Sequence, residues 1–171
     1  MQPSYKHYLK IIRNTCIGHE RPVTIPSEEL ADLARLAEDH CTVPFVLSSF
    51  RGTPFYPSML QRTRSMMLNY YQIDQFTRHT VSLLRDNGID CILLKGISLA
   101  SCYPVPEYRK LGDLDLYISR KSDVSKAQKL LEANGYIAEN ELSDHHLTYH
   151  YTFPKTGRRF LLELHYRVVG M

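Results

Sequence analysis

The dipeptide Asn87-Gly88 divides the sequence into two parts with different hydrophobic periodicity. From Ser58 to Asn87 there is no glycine or proline, and apolar side chains recur at helical spacing. This pattern predicts one long helix, which ends at Gly88 because glycine readily adopts the left-handed conformation that follows a helix. A shorter helix is predicted from Ser27 to about His40, where apolar residues also form a single stripe.

The part after Gly88 predicts strands, because short apolar or alternating runs are bounded there by turn residues. The predicted strands are a buried one at residues 89–94 and others near residues 114–118, 136–139, 147–153 and 160–168, with a helix at 122–134. We expect an α/β (α+β) fold with a small mixed sheet, helices on one face and a helical N-terminal segment. The expected division is a helical segment at residues 1–88 and a core at residues 89–171.

Composition limits the class of protein. Of the 171 residues, 43% are hydrophobic and 23% are charged, as in soluble globular proteins. Because no apolar run could span a bilayer and residues 1–10 do not resemble a signal peptide, we expect a cytoplasmic protein with no membrane partner. The net charge of +3 permits phosphate-bearing ligands but is too small to indicate a dedicated nucleic-acid binder. The four cysteines lack metal-finger spacing and are expected to be buried free thiols.

Two aspartates after Gly112 favour a metal site. Side chains alternate across a strand, so Asp113 and Asp115 are expected on one face, with Leu114 and Leu116 in the core. Two unpaired carboxylates roughly 7 Å apart repel each other, and a divalent cation between them removes this cost. Ligation by oxygen alone favours Mg²⁺, with Mn²⁺ as the alternative ion. Two solvated aspartates on an exposed face are the competing interpretation, since this short motif is common.

A second alternating run supplies a third carboxylate. Glu163, His165 and Arg167 are predicted to share one face of a strand, while the apolar side chains between them form the other face. A carboxylate among strongly apolar neighbours needs a partner, because burying an unpaired charge is costly. Beside the strand of Asp115, Glu163 would complete a three-carboxylate site. An ion pair with Arg167 or another basic residue is the alternative.

Residues 92–98 predict a strand that leads into a glycine turn and a short helix. Main-chain amides at such a turn can bind phosphate oxygens, and Gly96 has no side chain to obstruct their approach. Lys95 would add a positive charge. A glycine at the end of a strand is usually only a turn residue, so this signal is weak by itself.

The histidines near residue 146 form another group that resembles a metal cluster. The apolar residues 147, 149, 151 and 153 alternate as one face of a strand, which predicts His146 and His150 on the polar face. We interpret them as structural or solvated histidines in preference to metal ligands.

In combination, these motifs resemble the uncharacterised nucleotidyltransferase family of bacteria, within the DNA polymerase beta-like nucleotidyltransferase superfamily. The matching segments, in order, are Leu93-Leu94-Lys95-Gly96, Tyr103-Pro104, Arg109, Gly112-Asp113-Leu114-Asp115-Leu116, Ala127 to Gly135-Tyr136, and Glu163-Leu164-His165-Tyr166. With the helical lead-in, the resemblance covers about four-fifths of the chain. Two positions depart from the superfamily's usual pattern. Ile97 follows the glycine where a serine is usual, and the third carboxylate is Glu163 in place of an aspartate.

The resemblance implies that residues 89–171 are a catalytic core with a two-metal mechanism. Such a core transfers a nucleoside monophosphate (NMP) from a nucleoside triphosphate (NTP), such as ATP, to an acceptor hydroxyl. The implied metal ligands are Asp113, Asp115 and Glu163, and the implied triphosphate ligands are Lys95, Gly96, Ser98 and Arg109. The acceptor could be a small molecule, a protein or an RNA, and a homo-oligomer is possible.

Two other functions fit the same residues. A catalytically inactive nucleotide-binding or regulatory module would keep the fold without turnover, and a metal-dependent phosphohydrolase would release free phosphate. Members of the superfamily generally carry a helical region after the third carboxylate. We expect this chain to lack that region and to be a truncated or minimal form that binds NTP weakly by itself.

Overall fold

A computed structural model describes residues 3–18, 23–139 and 144–167. These residues form six α-helices and one five-stranded sheet, which confirms the predicted fold class. The helices are α1 (Pro3–Cys16), α2 (Leu30–Asp39), α3 (Val43–Val46), α4 (Tyr56–Asp86), α5 (Ile97–Ala100) and α6 (Lys121–Ala133). The strands are β1 (Ile92–Leu93), β2 (Leu114–Tyr117), β3 (Ile137–Ala138), β4 (His146–Thr152) and β5 (Arg159–His165).

The chain folds into two compact units. The first comprises Met1–Tyr71 and Ala100–Lys110, and the second comprises Gln72–Leu99 and Leu111–Met171. Helix α4 contributes residues to both units. The division of the chain at residue 88 stays a prediction.

Helices α1, α2 and α3 of the first unit pack around a shared apolar core. Leu33, Ala34 and Ala37 recur at helical spacing, so one face of α2 is apolar and is buried in this core. The hydroxyl of Tyr8 forms a 2.7 Å hydrogen bond with the hydroxyl of Thr42, which satisfies the polar end of a buried ring.

Helix α4 confirms the long helix that the absence of glycine and proline predicts. It has 31 residues and ends at Asp86, and Gly88 follows in the left-handed region with φ +73°. In the second unit, buried side chains of this helix recur at helical spacing, and the ring of Phe76 stacks on that of Phe160 in β5 with centroids 4.9 Å apart. Phe76 of α4 thereby packs on aromatic side chains at an apolar face of the sheet.

The sheet has the strand order β1-β2-β5-β4-β3. Strands β2 and β5 are parallel, and the other neighbouring pairs are antiparallel. Leu114 and Leu116 of β2 are fully buried, as are Leu162 and Leu164 of β5. The central position of β2 and β5 therefore places the carboxylate-bearing strands side by side.

The prediction of a strand within residues 89–94 is confirmed, but its predicted length and burial are wrong. Strand β1 consists of Ile92 and Leu93, and these residues are 57% and 36% exposed. The run is apolar because Ile89 and Cys91 are buried before the strand begins, whereas β1 itself lies at an edge of the sheet. The other predicted strands are present, although β5 ends at His165 and residue 168 lies outside the described residues.

The cysteines only partly match their prediction. All four are free thiols, and Cys91 is buried, but Cys16 and Cys102 are exposed. Across the described ranges, none of the helices combines the length and the apolar composition needed to cross a membrane.

Candidate metal centre

The candidate site lies in the second unit, where the register between β2 and β5 brings its carboxylates together. Asp115 lies opposite Glu163 in the parallel ladder, and Asp113 directly precedes β2. Residues in register on neighbouring strands share a face of the sheet. One carboxylate oxygen from each of Asp113, Asp115 and Glu163 lies within 4.8 Å of the other two.

Asp115 is the most deeply buried of the three carboxylates. The residue is 2% exposed, whereas Asp113 and Glu163 are half-buried. Its neighbours along the strand, Leu114 and Leu116, anchor β2 in the core, so the position of Asp115 is set by main-chain pairing and apolar packing.

Lys95 is the nearest ammonium group to the carboxylates among the described residues. Its Nζ lies 3.1 Å from Asp115 Oδ1 and 4.0 Å from Glu163 Oε2. The hydrogen bond to Asp115 raises the pKa of Lys95, partial burial opposes this rise, and the charges of the three carboxylates add to it. The lysine is therefore charged at neutral pH. Its side chain is 59% exposed, so it can leave the carboxylates without breaking the core.

His165 of β5 contacts a carboxylate on each of the two strands. Its Nε2 lies 3.2 Å from Asp115 Oδ1 and 3.2 Å from Glu163 Oε2. When Nε2 carries a proton, the ring donates a hydrogen bond to these carboxylates and holds them in place. Asp115 is therefore paired, with Lys95 and His165, and the repulsion argued for two unpaired aspartates is reduced. The basic partners of Glu163 are Lys95 and His165, which fits the alternative of a partner other than Arg167.

The second oxygen of Asp115 provides a direct test of whether a cation fits. Within the described part of the chain, Asp115 Oδ2 is buried and has no hydrogen-bond partner. Buried polar atoms are normally satisfied, and an unsatisfied charged oxygen is especially costly. Three carboxylates against one ammonium also leave two formal negative charges in this group when His165 is neutral. An oxygen-rich, net-negative group with an unsatisfied buried oxygen fits a divalent cation such as Mg²⁺.

Gly96 brings the main chain close to these carboxylates. Its φ of +63° lies in the left-handed region, which residues other than glycine rarely adopt. A Cβ atom at this position would lie 3.8 Å from Asp115 Oδ2 and 3.6 Å from the main-chain oxygen of Asp113. The absence of a side chain therefore keeps the space beside Asp115 open.

The remaining predicted ligands have local partners. The hydroxyl of Ser98 donates to the main-chain oxygens of Leu94 and Lys95, at the turn before α5. Arg109 belongs to the first unit, where its guanidinium donates a 3.0 Å hydrogen bond to the hydroxyl of Tyr103. Their assignment to the triphosphate stays a prediction.

Sequence reasoning assigned no role to His165, although it placed this residue on the face of Glu163. The signal was the alternation of the polar residues Glu163 and His165 with the buried Leu162 and Leu164 in one strand. His146 of β4 lies opposite His165 in the antiparallel ladder, which adds a second imidazole beside the carboxylates.

Comparison with known families decides the class of protein. A family model described as uncharacterised nucleotidyltransferase matches residues 26–170, which include every residue of the candidate centre. The chain belongs to this nucleotidyltransferase family. No match was found among curated proteins or among solved structures. Membership of a nucleotidyltransferase family points to an enzyme with an NTP substrate, and the carboxylate group supplies ligands for the divalent metal that such enzymes usually use.

Proposed function

We propose that this protein transfers an NMP from an NTP to an acceptor hydroxyl in a reaction that requires a divalent metal. The observation that supports the proposal is Asp115 Oδ2, which is buried and without a hydrogen-bond partner among the described residues. This oxygen lies in a group with Asp113 and Glu163 that has the donor chemistry of a Mg²⁺ site.

In this proposal Asp113, Asp115 and Glu163 hold Mg²⁺ or Mn²⁺. When bound, the metal ions lower the pKa of the acceptor hydroxyl and neutralise charge on the phosphates. The protein contributes the fixed position of the ligands. Strands β2 and β5 set the spacing between Asp115 and Glu163, and His165 restrains both side chains through its Nε2.

Lys95 has a separate role in the proposal. Its ammonium compensates the carboxylates when no metal is present, since it lies 3.1 Å from Asp115 Oδ1. With a divalent cation held by the three carboxylates, the exposed side chain of Lys95 would be available to bind the triphosphate. A lysine binds phosphate well because it is a compact charge with three donors. Gly96 allows a phosphate to approach the main chain next to Lys95.

Ser98 and Arg109 are proposed as further triphosphate ligands. Each would exchange part of its present hydrogen bonding for contact with phosphate oxygens. The proposal for Arg109 rests on its place in the order of the family motifs, and the proposal for Ser98 rests on its position two residues after Gly96. Both residues lie within the segment that the family model matches. Residues 89–171 are proposed as the catalytic core.

The experiment that tests the proposal is a screen for the NMP adduct. The purified protein is incubated with each of the four common NTPs, with Mg²⁺ or Mn²⁺, and with fractions of a cell extract. Mass spectrometry then searches for an acceptor that has gained the mass of an NMP. We expect an adduct that requires metal and disappears in the Asp115→Asn variant.

Asp123 provides a matched control for this variant. It is also a buried aspartate, and it accepts a 3.0 Å hydrogen bond from a lysine, Lys126, but it lies on α6 and outside the carboxylate group. The Asp123→Asn variant should still form the adduct. An adduct that forms equally with Asp115→Asn, or with a chelator present, would contradict the proposal. Free phosphate in place of an adduct indicates a phosphohydrolase, and NTP binding without any product indicates an inactive module.

A further inference from the structure

A cluster of imidazole rings lies next to the carboxylate group. His146 on β4 pairs in register with His165 on β5, and their ring centroids are 5.2 Å apart. The ring of His145 lies 4.4 Å from that of His146. One ligand atom from each of His146, Glu163 and His165 lies within 4.8 Å of the other two. Two nitrogen ligands and one oxygen ligand therefore converge on a point beside Asp115.

We propose that His146, Glu163 and His165 form a second cation site, which selects a transition metal ion such as Zn²⁺ over Mg²⁺. Imidazole nitrogen is a good ligand for Zn²⁺, whereas Mg²⁺ prefers oxygen ligands and retains water. A set of two histidines and one carboxylate is sufficient for Zn²⁺ when an exchangeable ligand occupies the fourth position. The site thus differs from the all-oxygen group in ligand chemistry.

The geometry requires only side-chain rotation. Bonds of about 2.0–2.1 Å in a tetrahedral site place ligand atoms about 3.4 Å apart. His146 and Glu163 are half-buried and can rotate to shorten their separation, while the β4–β5 ladder fixes their main chains. His150 lies further along β4, but its ring forms a hydrogen bond with Glu139, so its imidazole belongs to a different cluster.

Glu163 is common to both groups, so the two sites are coupled. A transition metal ion that takes Glu163 and His165 removes one carboxylate from the all-oxygen group. It also withdraws the imidazole that lies 3.2 Å from Asp115 Oδ1. Zn²⁺ is therefore expected to lower the affinity for Mg²⁺ and to inhibit turnover. This consequence rests on the proposed function, whereas the site itself does not.

Calorimetry with Zn²⁺ tests the site without any measurement of activity. Chelator-treated protein is titrated with ZnCl₂ in the presence of excess Mg²⁺, and the wild type is compared with the His146→Gln and His150→Gln variants. We expect one Zn²⁺ per chain in the wild type and an affinity at least about tenfold lower in His146→Gln. His150→Gln, a histidine variant on the same strand, should match the wild type.

Two outcomes of the titration would overturn the site. One is a Zn²⁺ affinity that His146→Gln leaves unchanged, and the other is an equal loss in His150→Gln. The visible spectrum of the wild type with Co²⁺ provides a test that does not depend on the folding of a variant. Intense tetrahedral bands are expected, and the weak spectrum of an octahedral oxygen-ligated ion contradicts the site. Asp113→Asn separates the two proposals, because it should weaken Mn²⁺ binding and retain Zn²⁺ binding.

Discussion

Replacement of Lys95 by methionine should change metal binding and nucleotide binding in opposite directions. The ammonium of Lys95 lies 3.1 Å from Asp115 Oδ1 and would compete with a divalent cation for the same carboxylates. The same ammonium is proposed to bind the triphosphate once metal is present. Methionine keeps most of the apolar length of the side chain and removes only the charge and the donors.

The size of each effect follows from the exposure of Lys95. Its side chain is 59% exposed, so solvent screens the ion pair with Asp115. Screened pairs contribute up to about 1 kcal/mol, which corresponds to about fivefold tighter metal binding in the variant. A hydrogen bond to a charged group contributes about 1.5–3 kcal/mol, so NTP binding at saturating metal should weaken about ten- to a hundredfold.

The assay is calorimetry in two steps, with Mn²⁺ alone and then with a non-hydrolysable NTP analogue at saturating Mn²⁺. Lys126→Met is the matched control, because Lys126 Nζ lies 3.0 Å from the buried Asp123 and its side chain is 68% exposed. The control variant should leave both affinities unchanged. The reasoning is refuted if Lys95→Met weakens metal binding, or if it leaves the affinity for the NTP analogue at the wild-type value.

Three other predictions concern the stability of the protein and the reactivity of its thiols. Mg²⁺ at ten times its Kd should stabilise the wild type by about 1.4 kcal/mol and raise its Tm by a few degrees, and Asp115→Asn should abolish this rise in a thermal melt. Gly96→Ala and Gly135→Ala should each cost about 1 kcal/mol, because both glycines have positive φ. Only Gly96→Ala should weaken NTP binding, since no atom lies within 4 Å of a Cβ at Gly135, and equal losses of NTP affinity would show that strain alone is responsible. Burial raises the pKa of the Cys91 thiol, so alkylation at pH 8 should label the exposed Cys16 and Cys102 well before Cys91, and faster labelling of Cys91 would contradict its burial.

The faces of the two central strands were predictable because side chains in a strand alternate with a period of two. Asp115 lies between two buried leucines, and Glu163 lies between two others, so each carboxylate projects from the face opposite the core. Periodicity does not predict that these two strands are neighbours in the sheet. Their proximity depends on the parallel pairing of β2 with β5, which brings together residues about fifty positions apart in the chain.

The partners of the carboxylates were harder to predict for the same reason. Lys95 reaches Asp115 because the segment of β1 pairs with β2, where the main-chain N–H of Leu94 donates a hydrogen bond to the main-chain oxygen of Asp115. His146 reaches His165 through the antiparallel ladder of β4 and β5. The burial of an apolar run was also ambiguous. Ile92 and Leu93 belong to such a run, but they lie in an edge strand of the sheet. Their main chains are hydrogen-bonded to β2, whereas the residues themselves remain exposed.

The most direct test of the central claim follows the two ends of the triphosphate separately. The protein is incubated with Mg²⁺, an extract fraction that contains the acceptor, and an NTP labelled either at the α-phosphate or at the γ-phosphate. Nucleotidyl transfer predicts that the α-label becomes attached to the acceptor and that the γ-label leaves in pyrophosphate, in the wild type and in Asp123→Asn but not in Asp115→Asn. Transfer of the γ-label to the acceptor, its release as free phosphate, or undiminished α-label transfer by Asp115→Asn would contradict the account.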